Sequence, residues 1–145
     1  MTGRAVGLDL GSRRIGVAAS DAGGVLASPR TTVERSGDQV RDHSRIAALV
    51  AEEEAVIVVV GLPLSLDGSI GPAAAAVLEE VGVLAAVLRV PVVTHDERFT
   101  TVTAHEQLRA AGMGGRRRRS VVDQQAATVL LQGWLDAQRP GDPTT

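Results

Sequence analysis

The chain begins with the segment RAVGLDLGSRRIGVA, residues 4–18, in which apolar residues alternate with small or polar ones. This alternation predicts two antiparallel β-strands, over 4–11 and 14–20, joined by a short turn. The first strand carries one carboxylate, Asp9, between two leucines, and the glycines on its face leave that face without bulky side chains. Because a buried carboxylate without compensation is costly, Asp9 requires a hydrogen-bond partner or a cation.

The rest of the sequence predicts an α/β domain. The patterns indicate a third antiparallel strand within 25–33 and then an amphipathic helix over 38–54 that buries Val40. An apolar strand over 55–61, a helix from Pro72 and a short strand over 91–95 follow. The last two elements are a helix from about Thr100 to Ala111 and a helix from about Val121 to Gln138 with Ser120 as its N-cap. Crossover connections between the later strands imply that they are parallel. We therefore expect a mixed five-stranded sheet, three antiparallel strands followed by parallel ones, flanked by helices. The domain is expected over 1–138, with a disordered tail over 139–145.

Composition restricts the compartment and the chemistry. A chain of 145 residues can bury a core without disulfides, and this one has no cysteine. The absence of cysteine excludes thiolate zinc sites and favours a reducing compartment. The longest apolar region, 72–93, contains Glu79, Glu80 and Arg89, too much charge for a bilayer span. The sequence thus predicts a cytoplasmic protein with no membrane partner.

All 15 basic residues are arginine, although the net charge is -2. Four of them, Arg116, Arg117, Arg118 and Arg119, follow a glycine-rich segment at 112–115, which predicts a hinged loop that clamps phosphates; a solvated charged run is the alternative. The chain has one Phe and one Trp, too few for a base-stacking platform, so we expect nucleic acid to be held through its backbone. Further candidates for contacts to phosphates, with surface solubility as the alternative, are Arg13, Arg14 and Arg98.

Three carboxylates from distant parts of the sequence are candidate site residues. Asp9 lies in the first strand, and Glu97 directly follows the strand at 91–95, where parallel sheets gather ligand groups. Asp123 begins the inward-facing stripe of the last helix. Each has a simpler interpretation. Asp9 could accept a hydrogen bond from a neighbouring turn, Glu97 could be a solvated loop residue or pair with Arg98, and Asp123 could cap the helix. His43 and His105 are expected on helix surfaces.

Converging carboxylates, with no cysteine and no HExxH spacing, suit a hard divalent cation with oxygen ligands, Mg²⁺ or Mn²⁺. One or two such ions can hold a phosphodiester, lower the pKa of a bound water and stabilise the leaving oxygen. The residues therefore predict a divalent-metal site in which Asp9, Glu97 and Asp123 are the ligands.

Four segments then resemble the blocks of one family, in order and across nearly the whole chain: GLDLGSRRIGVA (7–18), VVGLPLSLDGSIGP (59–72), DERFTT (96–101) and VDQQAATVLLQGWL (122–135). The family is YqgF, also called RuvX. The resemblance implies a ribonuclease H-like fold, metal-dependent cleavage of nucleic acid and a role in maturing the 5′ end of 16S rRNA, and it points to the same three carboxylates. A Holliday-junction resolvase activity is proposed for some relatives.

Several alternatives remain open at the level of sequence. An actin-like sugar kinase or ATPase has a similar first hairpin, but it needs a second such domain, for which this chain has no room. A scaffold of the same fold that binds RNA without cutting it would show the same pattern. Processing of pre-rRNA and resolution of branched DNA need the same acids. A symmetric four-way DNA junction as substrate would favour a homodimer, and no feature of the sequence indicates one.

Overall fold

The computed structural model describes residues 3–99 and 115–138. Its elements are β1 (Arg4–Leu10), β2 (Arg14–Ser20), β3 (Ala27–Glu34), α1 (Gln39–Glu52), β4 (Ala55–Leu62), α2 (Pro72–Val87), β5 (Val92–Asp96), a 3₁₀ turn (Glu97–Phe99) and α3 (Gly115–Gln138). The helix expected over about 100–111, His105 and the tail over 139–145 lie outside the described residues. None of the helices within the described ranges combines the length and apolar character that a bilayer crossing requires.

The five strands form one mixed sheet in the order β3-β2-β1-β4-β5. Strand β2 is antiparallel to both β1 and β3, whereas β1, β4 and β5 are mutually parallel. The fold class expected from the sequence is therefore confirmed. Since β1, β4 and β5 run in the same direction, their carboxyl ends meet at one edge of the sheet.

Helices α1 and α2 cover one face of this sheet. Alternation along β1 directs Val6 and Leu8 toward this side, where they join Ile46 of α1 and Leu84 of α2 in one apolar cluster. The burial predicted from helical spacing is wrong for two residues of α1. Val40 is 76% exposed, because it lies in the first turn beside the N-cap Asp38. His43, expected on the surface, is 1% exposed.

Helix α3 covers the opposite face, to which Ala5, Gly7 and Asp9 belong. Glycines let the helix approach closely. A Cβ on Gly7 would lie 2.8 Å from Cβ of Leu131, and a Cβ on Gly16 would collide with the backbone oxygen of Asp123. The space beside Asp9 that the glycines leave is thus partly filled by α3 itself.

The start of α3 differs from the expectation. The helix already includes Gly115, so Ser120 is an interior residue rather than the N-cap, and the four arginines are helical rather than part of a loop. Arginine has a high helix propensity, and 116–119 contains no residue that would end a helix. Asp123 therefore lies more than two turns from Gly115, which removes the capping interpretation of this acid.

The close packing of α3 against the sheet can be tested with two glycine substitutions. Gly16→Ala is expected to lower the free energy of unfolding by about 1–3 kcal/mol, because the new methyl group forces the backbones of β2 and α3 apart. Gly82→Ala, on the exposed side of α2 with nothing within 4 Å of the added atom, is expected to raise it by about 0.5–1 kcal/mol. Urea unfolding of both variants measures the difference; equal values would contradict the close approach at Gly16.

Candidate active site

Asp9 and Glu97 meet at the carboxyl edge of the sheet. Asp9 is the last residue but one of β1, and Glu97 is the first residue after β5. Strand β4 lies between these strands, and it ends with Gly61 and Leu62. A side chain on Gly61 would collide with Oε1 of Glu97. The glycine at the end of β4 therefore provides the space in which the Glu97 carboxyl group lies.

The two carboxyl groups are hydrogen-bonded to each other, and the bond raises the pKa of Glu97 while it lowers that of Asp9. The pKa of Glu97 is raised to about 7, first by burial and then by the charges of Asp9 and Asp96. Burial, followed by the charge of Asp123, gives Asp9 a net raised pKa as well. The pair therefore retains a proton at a pH where isolated carboxyl groups are ionised.

Asp123 reaches the same region from α3. Its carboxylate accepts a hydrogen bond from Arg14 of β2, with 2.6 Å between Nε and Oδ2, and both side chains are largely buried, at 23% and 21% exposure. The charge of Asp123 still acts on Asp9. The fold thus brings all three sequence-predicted carboxylates into electrostatic contact, although the third is engaged by Arg14.

The donor set fits a hard cation at the Asp9 and Glu97 pair. Carboxylate oxygens are the ligands that Mg²⁺ and Mn²⁺ prefer, and a cation between these two groups would relieve the repulsion that raises their pKa values. Over residues 3–99 and 115–138, no three His, Asp or Glu side chains approach closely enough to hold a metal. Asp123 is held by Arg14 through Oδ2 and would have to approach the pair to become a third ligand.

The arginines predicted to contact phosphates differ in exposure and in their bonding partners. Arg13 is exposed in the turn between β1 and β2. Arg98 binds Asp96, with 2.6 Å between Nη2 and Oδ2, and donates to the backbone oxygen of Leu66. The proposed salt bridge of Arg98 with Glu97 is therefore replaced by one with Asp96. The other candidates lie at the start of α3, where Arg117, Arg118 and Arg119 are exposed and Arg116 belongs to the same turns.

A second charged cluster, missed by the sequence analysis, supports the turn beside Asp9. Arg35 donates to Gly11 O through Nε at 2.7 Å and binds both carboxylate oxygens of Glu80. His43 Nε2 lies 2.8 Å from the same carboxylate. Burial raises the pKa of Glu80, but the bonds from Arg35 and His43 outweigh it, so the net pKa is lowered. Glu80 and its neighbour Glu79 are the two charged residues of the otherwise apolar α2, and this was the signal that could have revealed the cluster.

A family model and several related proteins are similar in sequence to this chain over most of its length. The RuvX family model, described as Holliday junction resolvase, matches residues 3–137. A protein of Mycobacterium ulcerans (strain Agy99) named "Putative pre-16S rRNA nuclease" is 49% identical over 140 residues, covering 94% of this chain and 81% of the relative. A protein of the same name from Rhodococcus opacus (strain B4) is 50% identical over 142 residues, covering 92% and 78%.

Solved structures with much lower sequence identity share the fold. Thermus thermophilus RuvC in complex with a Holliday junction aligns with a TM-score of 0.58 at 16% identity, covering 94% of this chain and 95% of that one. A second structure of RuvC from this organism aligns with a TM-score of 0.54 at 15% identity, covering 93% and 95%. These likenesses confirm the ribonuclease H-like fold. The match across residues 3–137, together with relatives near 50% identity, shows that the chain belongs to the RuvX family.

Proposed function

We propose that this member of a nuclease family hydrolyses phosphodiester bonds with one or two Mg²⁺ or Mn²⁺ ions held by Asp9, Glu97 and Asp123. The observation that carries the proposal is the hydrogen-bonded carboxyl pair at the carboxyl ends of β1 and β5. Perturbed carboxyl groups at such an edge are typical of a functional site. A bound ion supplies Lewis acidity toward the phosphate and activates water for attack at phosphorus.

The residues of the chain have separate tasks in this proposal. Asp9 and Glu97 would hold the cation in place of the proton they share, and the absence of a side chain at Gly61 leaves room for the Glu97 carboxyl group at the sheet edge. Arg14 orients Asp123 through the bond at its Nε. Arg13 and the exposed arginines of α3 contact phosphates, where each contact releases counterions. Arg98 contributes by holding Asp96, and it reaches phosphate only if that bond opens.

We infer that the substrate is the 5′ region of pre-16S rRNA in the cytoplasm, processed by a domain over 1–138. The support comes from the name shared by relatives near 50% identity. A four-way DNA junction is the second candidate, which the description of the RuvX family model favours. It would call for a homodimer, because two strands are cut symmetrically. A scaffold that binds RNA without cutting it is the third reading.

Asp9→Asn tests the proposed chemistry. It is expected to lower cleavage by about 100-fold or more in the presence of Mn²⁺, because the variant loses a charged ligand while keeping the shape of the side chain. Cleavage of labelled 5′-extended 16S precursor, unstructured RNA and a four-way DNA junction measures both the loss and the substrate preference.

Asp136→Asn, near the exposed end of α3, is the matched control and should cleave like the wild type. Cleavage that survives Asp9→Asn would refute the role of the carboxyl pair. A wild-type protein that binds RNA but cuts none of the three substrates would support the scaffold instead.

The raised pKa of Glu97 predicts a pH effect on stability. Because its folded-state pKa of about 7 exceeds the ordinary value of 4.5, the folded state binds the proton more tightly, so the stability contribution of Glu97 falls as the pH rises through this window. Thermal unfolding in EDTA should therefore show a smaller loss between pH 5.5 and 8 for Glu97→Gln than for the wild type. Mn²⁺ at pH 8 should stabilise the wild type and not Asp9→Asn.

Glu52→Gln, an exposed substitution on α1, serves as the control for this measurement because no site residue is altered. It should retain the pH dependence of the wild type. Identical pH profiles for Glu97→Gln and Glu52→Gln would contradict the perturbed state of Glu97.

A further inference from the structure

Two adjoining cavities lie on the side of the site that faces β3 and α1. The first has a volume of about 570 Å³ and is lined by Arg13, Arg14 and Arg35 together with Glu34. The second has a volume of about 760 Å³ and is also lined by Glu34. Because Arg14 both lines the first cavity and binds Asp123, this cavity borders the candidate active site. Glu34 lines both cavities, so they are neighbours on this side of the site.

The second cavity brings together arginines from two different helices. Arg45 of α1 and Arg117 of α3 line it, and both are exposed. Three polar residues of its wall bond to one another: Thr32 donates to the backbone oxygen of Ser120 at 2.9 Å, and Gln124 donates to Thr32 at 3.3 Å. These bonds fix β3 against α3, so the two guanidinium groups project from a connected surface.

Charge is distributed unequally around the site. On the β5 side, Asp96 and Asp67 accompany Arg98, and the guanidinium group is bound by Asp96. In the first cavity, the Asp42 carboxylate accepts from the backbone nitrogen of Ser36, and Arg35 is engaged by Glu80. Arg14 is likewise engaged by Asp123, so the other charged residues that line the two cavities are Arg13, Arg45 and Arg117 on the positive side and Glu34 and Asp42 on the negative side. An anionic strand is therefore favoured toward β3 and α1.

We propose that the strand cut at the carboxyl pair continues through these cavities, and that Arg45 and Arg117 bind the phosphates of its flanking nucleotides. The proposal rests on the nuclease function proposed above and extends it to the course of the substrate. Guanidinium groups suit phosphate oxygens, which they bind in pairs of parallel hydrogen bonds. Contacts of this kind position a strand without reading its sequence.

The test measures binding of a labelled single-stranded RNA in EDTA by fluorescence anisotropy, so that cleavage plays no part. Arg45→Ala with Arg117→Ala is expected to weaken binding about tenfold near 0.1 M salt for every sequence tried. The slope of log K against log salt should become shallower by about 1.4, since each lost phosphate contact on a single strand contributes about 0.7. Lysine at both positions should restore most of the slope.

The control Arg30→Ala with Arg89→Ala removes the same two charges elsewhere: Arg30 pairs with Glu53, and Arg89 lines a separate cavity beside α2. It should keep the wild-type slope. Glu34→Gln should strengthen binding about threefold, an increase that misfolding would not produce. Wild-type affinity in the Arg45 and Arg117 double variant, or weaker binding by Glu34→Gln, would overturn the proposal.

The same preparations separate this proposal from the one on which it rests. If Asp9→Asn abolishes cleavage while the Arg45 and Arg117 double variant binds like the wild type, the nuclease function stands and the course of the strand is wrong. If the wild type cuts none of the three substrates but the double variant binds RNA tenfold more weakly, the binding surface stands and the nuclease function fails.

Discussion

The site depends on the close approach of α3 to the sheet at Gly16. The backbone oxygen of Asp123 lies where a side chain of Gly16 would begin, and Gly16 is the register partner of Asp9 in the pairing of β1 with β2. The contact that packs the helix therefore also fixes Asp123 beside Asp9. A larger residue at position 16 would separate the backbones and the carboxylates together. The packing of α3 on the sheet and the interaction between Asp123 and Asp9 therefore both depend on the contact at Gly16.

Two half-buried glutamates show how differently the fold treats negative charge. Burial raises the pKa of both. At Glu80, bonds from Arg35 and His43 reverse the effect, so the charged form is stabilised within the protein. At Glu97, the neighbouring charges of Asp9 and Asp96 add to it. The negative charge of Glu80 is thus compensated within the protein, whereas that of Glu97 would be compensated by an added cation. This contrast supports a ligand-binding role for the second.

The sequence predicted the order of the described elements and three carboxylates that interact, because strand alternation and strand ends are local properties. It did not predict the start of α3, where a glycine-rich segment before 116–119 suggested a loop although arginine favours helix. It also missed the roles of Gly16 and Gly61, since each is set by an atom distant in the chain. The burial of His43 depends on Glu80, 37 residues away, which helical spacing does not reveal.

Arg14 connects the carboxylates to the cavities that extend from them. Its Nε binds Asp123, and its side chain also lines the first cavity. A cation that recruited Asp123 through its second carboxylate oxygen would leave this bond in place, and Arg14 would then connect the cation site with the path proposed for the substrate. Cation binding and substrate binding would then each stabilise the position of the Arg14–Asp123 pair that favours the other. Because such coupling is reciprocal for binding free energies, the cation would strengthen substrate binding by the same factor as substrate strengthens cation binding.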